Sequence, residues 1–204
     1  MSSSLLPITY RSILGVALPM MVSGFIQSIV LITDSAFISR YSVAGFDAVG
    51  NAGLAYITFY MMLLGMSDGA QILMARRIGE SREDQLGRIL NATWVILGIL
   101  AVIFFTILTL FIPSWISAYS RNQEVASLQG EFIRHRSFAL FFCMITLGFQ
   151  AFYLARGKSW VVLVAALITA STNILFDYLL IFGIGIFPEM GVAGAATASS
   201  IADG

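Results

Sequence analysis

The chain has 204 residues, 58% of them hydrophobic and 11% charged, with 11 basic and 11 acidic side chains and a formal net charge of zero. Soluble domains carry about 25% charged residues, so an ordinary soluble domain is excluded and an integral membrane protein is expected. No excess positive charge exists to recruit nucleic acid, and one cysteine and one histidine exclude an intrachain disulfide and a histidine pair for zinc.

At ~20 apolar residues per crossing, apolar windows fall at about 13–38, 50–75, 89–112, 137–155 and 160–182, and another opens at 190. Each is expected to be a helix, because the bilayer interior forces backbone hydrogen bonds to close within a segment. The fold class expected is an all-α membrane protein, a six-helix transmembrane lobe whose sixth helix, 190–204, is truncated. Only about 14 residues of that window are present, too few to cross. The chain therefore reads as the amino-terminal part of a longer protein. The segment before the first window lacks a basic amino end and a small-residue cleavage pattern, so the first span is expected to be retained. With the amino terminus inside, inner segments hold Arg11, Arg76, Arg77, Arg82, Arg88, Arg156 and Lys158, and outer segments hold Arg40, Arg121, Arg134 and Arg136. That split favours a cytoplasmic amino terminus.

The first window carries Pro19 and the stripe Ser23, Gln27, Asp34, whose offsets of four and eleven return to nearly one helical angle. Pro19 removes a backbone N–H and leaves the carbonyl of Gly15 without its usual donor, so a bend is expected there. In the second window Asp68 is read either as an ion-coupling acid or as one that pairs with Arg76 or Arg77 or hydrogen-bonds a neighbouring helix near the inner surface. The third has no charge after Arg88, ends at Pro113 and is expected to be scaffold. Residues 114–130 are expected to be the longest loop, with Trp115 and Tyr119 suited to the interface. The fourth window sets Thr146, Gln150 and Tyr153 on one face. The fifth carries Asn173 and Asp177 four residues apart, hence on one face, with Thr169 a turn earlier. The sixth opens with GVAGAATASS, small residues that permit close packing, and includes Thr197.

An acid facing lipid costs at least ~2.5 kcal/mol, so Asp34 and Asp177 are expected to face a protein or water interior. A rise of ~1.5 Å per residue sets Asp34, Asp177 and Thr197 all in the outer half of the membrane. Two carboxylates, an amide and a hydroxyl at similar depth suit a small cation or a shared proton. An interhelical hydrogen-bond network joining the first and fifth spans is the other reading of the same residues.

ALPMM with Pro19, the following Asp34, GAQILMARRIGE, LARGKS, NILFDYLLIFGIG and PEMGVAGAATA occur in this order along nearly all 204 residues. In that order and spacing the chain resembles the amino-terminal half of the multidrug and toxic compound extrusion (MATE) family. The resemblance implies half of a twelve-helix, two-lobe transporter in the inner (plasma) membrane, with the carboxy-terminal lobe missing here. It implies antiport of organic cations, drugs or other amphipathic small molecules against Na⁺ or H⁺, with no other cofactor. It also implies an ion or proton site, possible for Na⁺, at Asp34, Asn173, Asp177 and Thr197, and a hinge at Pro19. Gln27, Gln150 and Tyr153 are the candidate substrate-cavity residues. A flippase for lipid-linked saccharides has a similar architecture. An enzyme is not expected, because no nucleophile–base pair or metal-binding histidine set is present.

Overall fold

A computed structural model describes residues 9–120 and 122–203. The described residues form eight α-helices and no strand: α1 (Tyr10–Tyr41), α2 (Val43–Gly79), α3 (Leu86–Thr106), α4 (Ile112–Tyr119), α5 (Gln123–Ser137), α6 (Ala139–Ala155), α7 (Ser159–Phe182) and α8 (Gly191–Ala202). α1, α2 and α7 are each long and apolar enough to cross a membrane, as is the continuous run Glu83–Tyr119. α5 and α6 pass the same test together, bent by 42° where they meet. α8 is a shorter apolar helix.

Short polar side chains set the helix ends. The Thr9 hydroxyl accepts from the Ser12 N–H at the start of α1. Ser42 serves two helices: its N–H donates to the Ile38 carbonyl to close α1, and its hydroxyl accepts from the Gly45 N–H to open α2. One extended residue therefore makes the whole reversal, since it satisfies a terminal acceptor and a terminal donor at once. Beyond α2, Glu80 takes hydrogen bonds from Arg76 (3.0 Å) and Arg77 (2.6 Å), which hold its carboxylate below the usual range. Asp68 is exposed and stands apart from this pairing. The expectation that Asp68 pairs with Arg76 or Arg77 is thus corrected, since Glu80 lies within one turn of both. Its neighbour Ser67, 2% exposed, ties α2 to α6 by donating to the Leu147 carbonyl (2.8 Å).

Residues 114–130, expected as a loop, are largely helical. α3 runs through a π-helical turn, Ile107–Phe111, into α4, where Pro113 sits in the first turn. A proline there has no N–H for the carbonyl four residues back and collides with it, and a widened turn relieves both problems. α5, QEVASLQGEFIRHRS, is too polar to register as an apolar window, yet Asn122 caps it and six of its residues are buried. Its last turn continues toward α6, so Arg136 lies inside the bundle, not in an outer segment. The break between α5 and α6 is stitched: Ser137 donates to the Arg134 carbonyl (3.0 Å) and meets the Thr109 hydroxyl (3.2 Å).

Among the described residues three apolar cores form. Leu63 of α2, Leu97 and Ala101 of α3, and Leu140 and Leu147 of α6 lie at the centre of the first. Ala70 and Met74 of α2, Leu86 of α3 and Ala151 of α6 form a second, and Ile38 of α1, Ile181 of α7 and Ala195 of α8 a third. α1 and α7 run parallel, their far ends locked by the rings of Phe37, Tyr41, Tyr178 and Phe182. The outward apolar side chains, such as Phe25, Leu31 and Ile32 at 68% exposure, face where lipid would be.

Two glycines place α8. Gly183 ends α7 in the left-handed region (φ 65°), as helix C-caps favour, and a β-carbon there would lie 2.7 Å from the Glu189 backbone nitrogen. At Gly194 a β-carbon would stand 2.7 Å from the Leu180 carbonyl oxygen and 3.0 Å from the Ile181 nitrogen. Those atoms are backbone and cannot swing aside, so any side chain there must push α8 off α7. Without a hydrophobic force between helices in lipid, such close approach is what holds them. Gly194→Ala in the full-length parent is expected to cost about 1–3 kcal/mol as overpacking. In detergent it should melt several degrees lower, and an unchanged Tm would show that α8 is not held by this contact.

Candidate functional site

On α7 the buried residues Ala166, Ala170, Asn173, Asp177, Leu180 and Ile181 recur at three- and four-residue steps, one continuous stripe. The lower part of that stripe is alanine, which lets α1 and α8 come close, and the upper part carries the two polar groups. Asp177 is fully buried (0% exposed) and Asn173 nearly so (3%). Asp34, roughly 10 Å before the end of α1, lies at the depth of Asp177, roughly 8 Å before the end of α7. The carboxyl groups of Asp34 and Asp177 come within hydrogen-bonding reach of each other.

The amide of Asn173 donates to the Ser199 hydroxyl (3.1 Å), which brings α8 into the group. Four buried oxygens are left without a hydrogen-bond donor: Asp34 Oδ1, Asn173 Oδ1 and both oxygens of Asp177. All four are acceptors, so no rearrangement among them satisfies any of them. Two facing carboxyl groups can bond only if one carries a proton. The chemistry open to this group is therefore to hold a proton between the acids, or to wrap a small hard cation in oxygens. Among the described residues no three His, Cys, Asp or Glu side chains gather as a metal site.

The remaining candidates are placed as follows. Thr197, half-buried on α8, donates to the Ala193 carbonyl (2.8 Å), which leaves its lone pairs open to a cation. Ser199 is not among the residues that the sequence singles out; it is a small polar residue in the stretch GVAGAATASS, whose small side chains permit close packing. Pro19 lies inside an unbroken helix. The Gly15 carbonyl that it deprives of a donor receives the hydroxyl of Ser159 instead (3.4 Å), from the first turn of α7. Ser23, a turn beyond Pro19, donates to the Pro19 carbonyl (2.8 Å). Gln27 shares the Asp34 angle but is exposed, and Gln150 and Tyr153 on α6 are half-buried. Tyr153 stacks edge-on against Phe152 (5.6 Å). These three do not join the acid pair.

The MatE family model matches residues 19–179. A probable multidrug resistance protein, NorM, of Thermotoga maritima is 28% identical over 190 residues, 93% of this chain and 41% of that protein. The Rhizobium meliloti NorM is 26% identical over 194 residues, again 41% of its length. An outward-facing structure of a multidrug resistance MATE family transporter superposes with a TM-score of 0.87 at 21% identity, covering 95% of this chain and 42% of that one. The chain thus spans about two-fifths of the length of the curated relatives it matches. With a match over most of its residues and the same helical lobe, the chain belongs to the MatE family of membrane transporters, as their amino-terminal half.

Proposed function

We propose that this lobe is the ion-loading half of an exporter that expels organic cations, drugs or other amphipathic compounds across the cytoplasmic membrane in exchange for Na⁺ or H⁺. The observation that carries the reading is the group of four donorless oxygens around Asp34, Asn173 and Asp177. Acids enclosed in a membrane lobe are costly and are kept where ions or protons pass. Thr197 and Ser199 supply hydroxyl oxygens from α8. Pro19 is the hinge: loading the acid pair draws α1 toward α7, and the bend closes the cavity walled by Gln27, Gln150 and Tyr153. The amino terminus is cytoplasmic on the count of basic residues, and moving Arg136 from the outer tally to the interior favours that orientation further.

The names of the relatives, multidrug resistance proteins, favour drug-like substrates. A flippase for lipid-linked saccharides would hold a pyrophosphate with several free cations, whereas the enclosed Arg136 is already paired with Asp203. The test is transport by the full-length parent in vesicles, with Na⁺ and H⁺ gradients imposed separately. Gradient-driven movement of a fluorescent organic cation is expected. Movement of a lipid-linked saccharide without such export would replace the exporter by the flippase.

A further inference from the structure

A second polar cluster lies deeper in the lobe. Arg136 at the end of α5 bonds Asp203, just past α8, at 2.7 Å, with side chains only 17% and 23% exposed. Its guanidinium sits over the Tyr56 ring of α2, 4.5 Å from the centroid. The Cys143 thiol of α6 donates to the same Asp203 oxygen (3.7 Å) and meets the Tyr56 hydroxyl (3.7 Å). Four elements thus meet on one ion pair, at the break between α5 and α6. By helical rise Asp203 is roughly 18 Å along from the start of α8, close to mid-membrane. A surface ion pair is worth little, but enclosed in a membrane lobe each partner would be costly alone.

α8 connects this cluster to the acid pair. Ser199 accepts from Asn173 on one side (3.1 Å), while Ser200 donates to the His135 carbonyl of α5 on another (3.3 Å). The charge of Arg136 reaches both Asp34 and Asp177, and that of Asp203 reaches Asp34. Tyr56 and Tyr60 of α2, stacked on each other, and Cys143 of α6 border the same interior. In the intact cluster Arg136 and Asp203 cancel.

We infer that Arg136, held by Asp203, is a positioning residue for cation loading: it pins α8 beside the acid pair and balances the charge against which that pair binds its ion. This rests on the reading of Asp34 and Asp177 as the coupling site. Removing one partner leaves a net charge of known sign at a fixed place. In general, two unit charges ~10 Å apart at an effective dielectric of ~20 interact strongly enough to change a binding constant by on the order of tenfold.

The test uses full-length parent protein in vesicles and measures the concentration of Na⁺, and separately of H⁺, at half-maximal transport. Arg136→Gln leaves Asp203 unbalanced, so the half-maximal concentration should fall roughly tenfold. Asp203→Asn leaves Arg136 unbalanced, and the same quantity should rise by a similar factor. The double variant should return near the parent value. A tie that merely holds helices together would move both single variants the same way, or neither, and either result overturns the inference. Arg136→Lys, which keeps the charge but loses the planar stack on Tyr56, should retain the parent's ion dependence at a lower Tm. If Arg136→Gln does not fold, the direction of Asp203→Asn together with Arg136→Lys decides. Asp34→Asn and Asp177→Asn serve as controls. Undiminished transport in those controls overturns the coupling reading and with it this inference, whereas lost transport there with unshifted Arg136 and Asp203 variants overturns the inference alone.

Discussion

Asp177→Asn in the full-length parent is expected to abolish ion-driven transport, a loss of at least ~100-fold, while leaving the protein as stable as before or more so. Asparagine matches aspartate in shape, so no cavity opens. What disappears is a buried carboxylate whose two oxygens have no donor. An unpaired polar group in that position costs a folded membrane protein free energy, and replacing it with a group that can donate to Asp34 recovers part of the cost. At about 2–4 °C per kcal/mol for a domain of this size, Tm should hold or rise by a few degrees. Asp34→Asn should lose transport in the same way with a smaller change in Tm, because Asp34 is half-buried where Asp177 is fully enclosed. The pairing of outcomes separates the two readings of these residues. If the acids were interhelical glue, each substitution would lower Tm and spare transport. If they load an ion, function falls and stability does not, the usual signature of a site held at a cost to the fold.

Much of this was legible in the sequence, for a physical reason. Charge is so expensive in a bilayer that Asp34 and Asp177 stand out against apolar windows, and helical spacing alone sets Asn173 beside Asp177 on α7. The parts that were hidden are those where membrane arithmetic misleads. α5 is polar enough to look like a loop, yet its Phe132 and Ile133 enter the apolar core and its Ser137 meets Thr109 of the π-helical turn. Arg136 therefore reads from sequence as an interfacial cation, although its partner Asp203 is 67 residues away. Ser199 and Ser159 are small, common residues whose importance lies in what they meet, Asn173 and the Gly15 carbonyl. Asp68 shows the opposite error: an acid conspicuous in sequence that the fold leaves exposed. Contacts between distant segments are invisible to periodicity, which reports only which face a residue is on.

The Gly15 carbonyl leads to the other large effect, Pro19→Ala. A proline inside a helix disfavours the straight form by about 3 kcal/mol relative to alanine, through the missing N–H and the collision with the carbonyl four residues back. Alanine restores both the N–H and the straight geometry, and its N–H then competes with the Ser159 hydroxyl for the Gly15 carbonyl. If the transport cycle passes between straight and bent α1, Pro19→Ala shifts that equilibrium by roughly 100-fold toward straight. Transport should then fall by one to two orders of magnitude even though Asp34 and Asp177 remain intact and ion binding persists. Ser159→Ala should have a smaller effect in a distinct way. It removes one hydrogen bond of about 1 kcal/mol, so it loosens the contact between the first turns of α7 and α1 without adding a donor to α1. Spin labels placed at either end of α1 would report both changes as distance distributions. Pro19→Ala should collapse the distribution onto the longer distance, and Ser159→Ala should broaden it. A Pro19→Ala protein with the parent's distribution and full transport would mean that α1 does not bend at Pro19 during the cycle, and that Ser159 merely caps a carbonyl the proline leaves bare.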